Sequence, residues 1–219
     1  MKVGSDDSLA SVGPGAVPAE AERTVPSLGH VSPVASSVTG SGRVLRWSVQ
    51  GGALPLGWEP VPREHSSVER IVAETHALWV WLRAGYSWRD EADTVREELA
   101  RLLASAGWLD AVVGESQRIE ALRLVATDVI DGDLAPYIAS HGGEVHIEEA
   151  AWGEAGGEVS VQFAGACKGC ELSEVTLHLR IEKALAERVP ELAAVRDVTP
   201  RTKPRLFEGL FRRPKTSHS

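Results

Sequence analysis

The run Glu158-Val159-Ser160-Val161-Gln162-Phe163, followed by Gly165-Ala166-Cys167-Lys168-Gly169-Cys170-Glu171-Leu172-Ser173, decides how the chain is read. Val159, Val161 and Phe163 alternate with polar residues, the period of a half-buried strand. A helical pattern then runs from Ser173 to Arg188. Both cysteines of the 219-residue chain sit in the glycine-punctuated loop between strand and helix.

Upstream, Glu144-Val145-His146-Ile147-Glu148 alternates in the same way. The glycine-rich stretch Trp152–Gly157 joins it to the first strand, which predicts an antiparallel hairpin. Before the hairpin, a unit beginning near Glu115 carries Ile119, Leu122, Val125, Ala126 and Val129 on one helical face. Gly132 and Pro136 break or kink that helix, and Gly142-Gly143 ends it. Downstream, Pro190 stops the cysteine helix and Val195-Arg196-Asp197-Val198 closes as a third strand. Residues 115–199 are therefore expected to form an α+β domain of order α-β-β-α-β with a small three-stranded sheet. The cysteine helix has two apolar stripes: Leu177, Ile181, Ala184 and Leu185 on one face, Leu172, Val175, Leu179 and Ala186 on the other. The second is expected to pack inside its own domain rather than on another subunit.

A smaller α/β domain is expected over residues 43–110. Arg43–Val49 reads as a strand, Ser67 as the N-cap of a short helix carrying Val68, Ile71 and Val72, and Ala77–Leu82 as a central strand covered on both faces. Asp90 is expected to cap a helix with Val95, Leu99, Leu102, Leu103 and Ala106 on one side, stopping at Gly107. His76, beside an apolar strand, is read as structural. Residues 1–42, rich in Ser, Gly, Pro, Ala and Val without helical or strand period, are expected to be a disordered leader.

Charge divides the chain. From Thr199 onward, Arg201, Lys203, Arg205, Arg212, Arg213 and Lys215 face one acid, Glu208, a net of +5. The whole chain carries −8, leaving −13 on the rest. A body this acidic is a poor nucleic-acid binder. No apolar run is long enough to span a membrane, the N-terminus lacks a signal-peptide pattern, and two cysteines make no secreted disulfide framework; a cytoplasmic setting is expected. Residues 200–219 read as a flexible basic tail, or as a docking segment for an acidic client or for the acidic body itself.

Four chemistries fit Cys167-Lys168-Gly169-Cys170. Two buried apolar thiols are disfavoured by the glycine content. A thiol–disulfide oxidoreductase would place the motif early in a domain, after a first strand. A structural zinc site needs four ligands; His178, about two helical turns beyond Cys170, points elsewhere, and His141 and His146 could add to the pair only through folding. An iron–sulfur cluster typically takes four cysteine thiolates, which two chains related by a two-fold axis would supply. Gly165 and Gly169 let backbone N–H groups approach sulfur, and a helix N-terminus beside Cys170 lowers its thiol pKa.

From about Ile119 to Val198 the chain resembles the NifU C-terminal (Nfu-type) family of iron–sulfur scaffolds and carriers. The resemblance is carried by Val129 through Pro136-Tyr137-Ile138, Gly142-Gly143-Glu144-Val145, Gly165-Ala166-Cys167-Lys168-Gly169-Cys170, Ser173, Thr176-Leu177, Ile181-Glu182, Leu185, Val189-Pro190-Glu191 and Val195. It implies that Cys167 and Cys170 ligate a [4Fe–4S] cluster, with [2Fe–2S] as the other form. The cluster would be bridged between two protomers that meet at the cysteine loop and delivered to apo-proteins, with cysteine desulfurase and assembly machinery as further partners. It implies no turnover enzyme. Glu171 stands where many members have proline, which removes a φ constraint and adds a carboxylate near an anionic cluster. Residues 43–106 resemble the Nfu N-terminal domain through Trp79-Val80-Trp81, Trp88 and the helix from Asp90.

Overall fold

The computed structural model describes residues 25–35, 37, 43–165 and 171–200, with 171–174 described by backbone alone. The expected leader before Val25 and the basic tail beyond Pro200 lie outside the described residues.

The elements run β1 (Ser27–Pro33), β2 (Val44–Gln50), β3 (Val68–Glu74), β4 (Ala77–Leu82), α1 (Trp88–Ala104), α2 (Glu115–Asp128), a π-helical turn (Val129–Asp133), α3 (Ala135–Ser140), β5 (Gly143–Gly153), β6 (Gly156–Gly165), α4 (Glu171–Arg188) and β7 (Leu192–Asp197). They build two sheets, β1-β2-β4-β3 and β5-β6-β7, so the fold is α+β as expected.

The first sheet corrects three expectations. Val68–Glu74 is strand β3, not a helix: it pairs antiparallel with β4, from Val68↔Leu82 to Glu74↔Ala77. Val68, Ile71 and Val72 have helical spacing, but two β-branched valines and an isoleucine beside a tight turn at Thr75-His76 suit a hairpin better. Order also begins before residue 43. Ser27–Pro33 is an edge strand whose Leu28 and Val31 pack on the core, a signal too short to stand out among Ser, Gly and Pro. Finally, α1 starts at Trp88 with Ser87, not Asp90, at the N-cap; Ser87 Oγ donates to Asp90 Oδ2 at 2.7 Å. The helix ends at Ala104, and the positive φ falls on Ala106 rather than Gly107.

β4 is central and buried on both faces, as its composition predicts. The two covers differ. Leu78, Val80 and Leu82 join Trp47, Ile71 and the α1 residues Val95, Leu99 and Leu103 in one cluster. On the other face, Trp79 joins Val44, Val72 and Leu56 in a cluster continuous with Leu122, Val125, Val129, Phe163, Leu177, Ile181 and Leu185. The first sheet thus lies between α1 and the C-terminal elements. Gly57 shows how close that contact is: at φ 80°, a Cβ there would come within 2.6 Å of the Gln117 carbonyl oxygen of α2.

The C-terminal elements follow the expected α-β-β-α-β order. The kink anticipated at Gly132 and Pro136 is the π turn, closed by Leu134 N–H to Val129 O at 2.8 Å. β5 and β6 pair antiparallel around a tight turn at Glu154-Ala155, and β7 adds parallel to β6. A parallel neighbour needs a crossover, and α4 is that crossover.

Candidate metal centre

Cys167 and Cys170 lie outside the described residues, and the structure supplies the frame on both sides of them. β6 delivers the chain at Gly165, φ 64°, where a Cβ would meet the Gly142 carbonyl oxygen at 2.7 Å. Only glycine fits that left-handed position against another backbone. The Gly142-Gly143 pair and Gly165 are therefore one construction: the start of β5 closes on the end of β6 at Gly143↔Gly165. The chain resumes at Glu171, the first residue of the eighteen-residue α4. Cys170 precedes that residue directly in sequence.

The inner stripe of α4 behaves as expected. Leu177, Ile181 and Leu185 are fully buried, and Ala184 packs against the same core. The outer stripe does not. Val175 and Leu179 are 59% and 56% exposed, contrary to the expected packing inside the domain. The sheet covers one side of the helix, and α2 reaches it on the buried side too, which leaves the outer face with no described element above it.

The histidines considered as extra metal ligands are spread out. His141 is exposed and lies against the Tyr137 ring, centroids 4.7 Å apart, while Arg180 stacks on the same ring at 4.3 Å. His146 is exposed on β5 with Nε2 3.5 Å from Glu144 Oε2, and His178 is half-buried on α4. Among the described residues no group of three or more His, Cys, Asp or Glu could hold a metal ion. His76, exposed, has Nδ1 3.3 Å from the Gly52 carbonyl oxygen.

At the far end of α4, about 27 Å from its start by helical rise, lies a polar cluster that the sequence reading gave no role. Arg188 Nε and Nη2 donate to Glu74 Oε1 and Oε2 at 3.0 and 2.9 Å, and Nη1 donates to Asp128 Oδ2 at 2.8 Å. Arg46 donates to the same Glu74 carboxylate through Nε and Nη2, at 2.9 and 2.7 Å, and Trp79 Nε1 adds a third donor at 3.0 Å. Asp128 Oδ1 accepts the Ala35 N–H at 2.8 Å. Burial alone would raise the Glu74 carboxyl pKa. Hydrogen bonds and positive charge from Arg46 and Arg188 outweigh that and hold it at about 2. Burial would likewise lower Arg188, but Glu74 and Asp128 push it above the ordinary arginine value. The signal available in sequence was an acid inside an apolar helical run (Val125-Ala126-Thr127-Asp128-Val129-Ile130) and another closing the β3 run; buried charges require partners. A cleft of about 540 Å³ opens beside this cluster, lined by Arg46, Asp128, Asp133, Glu187 and Arg188 among others.

Residues 127–196, which contain both cysteines, match the family model of the NifU-like domain. Over 71 residues the chain is 45% identical to the Fe/S biogenesis protein NfuA of Stenotrophomonas maltophilia (strain K279a), covering 32% of this chain and 34% of the relative. Over 70 residues it is 46% identical to the protein of the same name from Pseudomonas savastanoi pv. phaseolicola, covering 32% and 36%. The chain thus spans about a third of the length of the curated relatives it matches. The match falls on the segment that holds Cys167 and Cys170, where the flanking motifs resemble the same family.

Proposed function

We propose that this chain is an iron–sulfur cluster scaffold or carrier. Cys167 and Cys170 are the ligands it contributes, and the cargo is a [4Fe–4S] cluster shared between two copies meeting at their cysteine loops and released to apo-protein clients. The observation that carries this reading is the NifU-like match over the segment holding both thiols. The donor set fits: thiolates suit iron–sulfur clusters, and two per chain reach the usual four only in a pair. The frame fits as well. Cys170 abuts the first residue of an eighteen-residue helix, whose N-terminal partial charge favours thiolate, and Gly165 and Gly142 bring backbone close to the loop. The reading includes a cytoplasmic setting, a small Nfu N-terminal-like unit over 43–110, and a cluster-binding unit over 115–199. A client gains the cluster as its own thiolates replace Cys167 and Cys170.

Anaerobic reconstitution of the full chain with iron and sulfide tests it. The expected product is a brown dimer with about four Fe per two chains, and Cys167→Ser abolishes loading. A colourless monomer holding stoichiometric zinc, or Cys167→Ser protein that still loads, overturns it. Thiol–disulfide exchange by the iron-free monomer would point instead to a dithiol oxidoreductase.

A further inference from the structure

Val175 and Leu179 lie one turn apart on the outer stripe of α4, more than half exposed, with exposed Ala186 further along. Single exposed aliphatics are ordinary; a stripe of them on one helix face calls for a cover. The end of the described chain points to one. Because β7 runs parallel to β6, it finishes at the end of the sheet where β6 reaches Gly165 and α4 begins. Beyond β7, Val198 N–H donates to the Val161 carbonyl oxygen at 2.9 Å, and Thr199 Oγ1 accepts the Phe163 N–H at 2.8 Å. Thr199 N–H donates to Asp197 Oδ1 at 2.8 Å. These bonds pin the chain beside Phe163, so the nineteen residues after Pro200 depart from the same end of the fold that carries Val175 and Leu179.

Within those residues, Pro204 and Pro214 bracket Arg205–Arg213, which holds Leu206, Phe207, Leu210 and Phe211. At helical spacing these four fall within an arc of about 140°, wide enough for an apolar face, with Arg205, Glu208 and Arg212 outside it. Reach is no obstacle. Six residues from Pro200 to Leu206 can span up to about 20 Å, and a helix with its side chains is about 10–12 Å across. Charge also favours the contact: the tail carries +5 and the remainder −13, with Glu182 beside the stripe by helical position.

We propose that Leu206–Phe211 folds back onto the Val175–Leu179 stripe of its own chain, covering the outer face of α4 with an amphipathic segment. The inference does not depend on cluster binding. Methyl NMR of the metal-free full chain tests it, against a chain ending at Pro200 and a Phe207→Asp/Phe211→Asp double variant. In the full chain the rings of Phe207 and Phe211 shift the Val175 and Leu179 methyls upfield; both variants lose that shift at every protein concentration. The Leu177 and Ile181 methyls stay in place, showing the fold intact. Val175 and Leu179 methyls that do not move on truncation overturn the proposal. So does a shift that grows with protein concentration, which would assign the stripe to a second copy instead.

Discussion

The two ends of α4 are held in opposite ways. At its C-terminal end, Arg188 is clasped by Glu74 from the first sheet and Asp128 from α2, with each guanidinium nitrogen donating one hydrogen bond. In its second and third turns, Val175 and Leu179 face outward with no described element over them. A charged group can be buried only when its partners are complete, so the distal end cannot shift without exposing or orphaning a charge. The proximal end, next to the cysteine loop, carries no such constraint on its outer face. One helix thus combines a fixed anchor, joining the two sheets, with an apolar outer face, near the proposed cluster site, that no other described element covers.

The contrast can be broken most severely at Glu74. Glu74→Ala leaves Arg46 and Arg188 facing each other without their shared carboxylate, and a loss of about 3–5 kcal/mol is expected. The urea midpoint would fall with the slope unchanged. Leu177→Ala, on the buried face of α4, should cost about 2–5 kcal/mol. Acid acts on the anchor too. Glu74 is held at about 2, below the 4.5 of a free glutamate. Its contribution is therefore complete above about pH 4.5 and lost as pH falls toward 2, amounting to about 3 kcal/mol by the size of the shift. Urea midpoints of wild type and Glu74→Gln should converge across that window. Arg188→Met should cost less, about 1–3 kcal/mol, because Glu74 keeps Arg46 and Trp79 while Asp128 keeps the Ala35 N–H. In a chain ending at Pro200, Leu179→Ala should change stability by less than about 0.5 kcal/mol, as for other surface sites. A cost there matching that of Leu177→Ala would erase the distinction between the two faces.

Legibility in the sequence followed the same division. The hairpin β5-β6, the crossover α4 and the closing strand β7 were readable because each repeats its period over several residues and is bounded by Gly or Pro at Gly142-Gly143, Gly156-Gly157 and Pro190. β3 was misread because Val68, Ile71 and Val72 satisfy the helical spacing, while the hairpin that makes them a strand depends on pairing with β4. β1 went unseen because an edge strand with Gly29 and Pro33 has almost no local signature and is held by β2. The outer stripe of α4 was expected to be covered, since an apolar stripe says only that something apolar suits it, not whether its own domain provides it.

The sequence alone determined that two thiols stand together between a strand and a helix, that this segment is α+β, and that β4 needs cover on both faces. These follow from residue type and period, which are local. Tertiary structure alone decided that α1 covers β4 on one side and the C-terminal elements on the other. It alone brought Glu74, Asp128 and Arg188, 114 positions apart from first to last, into one buried cluster. An acid within an apolar run signals that it needs a partner, but nothing along the chain says which one. The role of these charges exists only because two apolar surfaces close around them and leave them to be satisfied by one another and by Arg46, Trp79 and the Ala35 N–H.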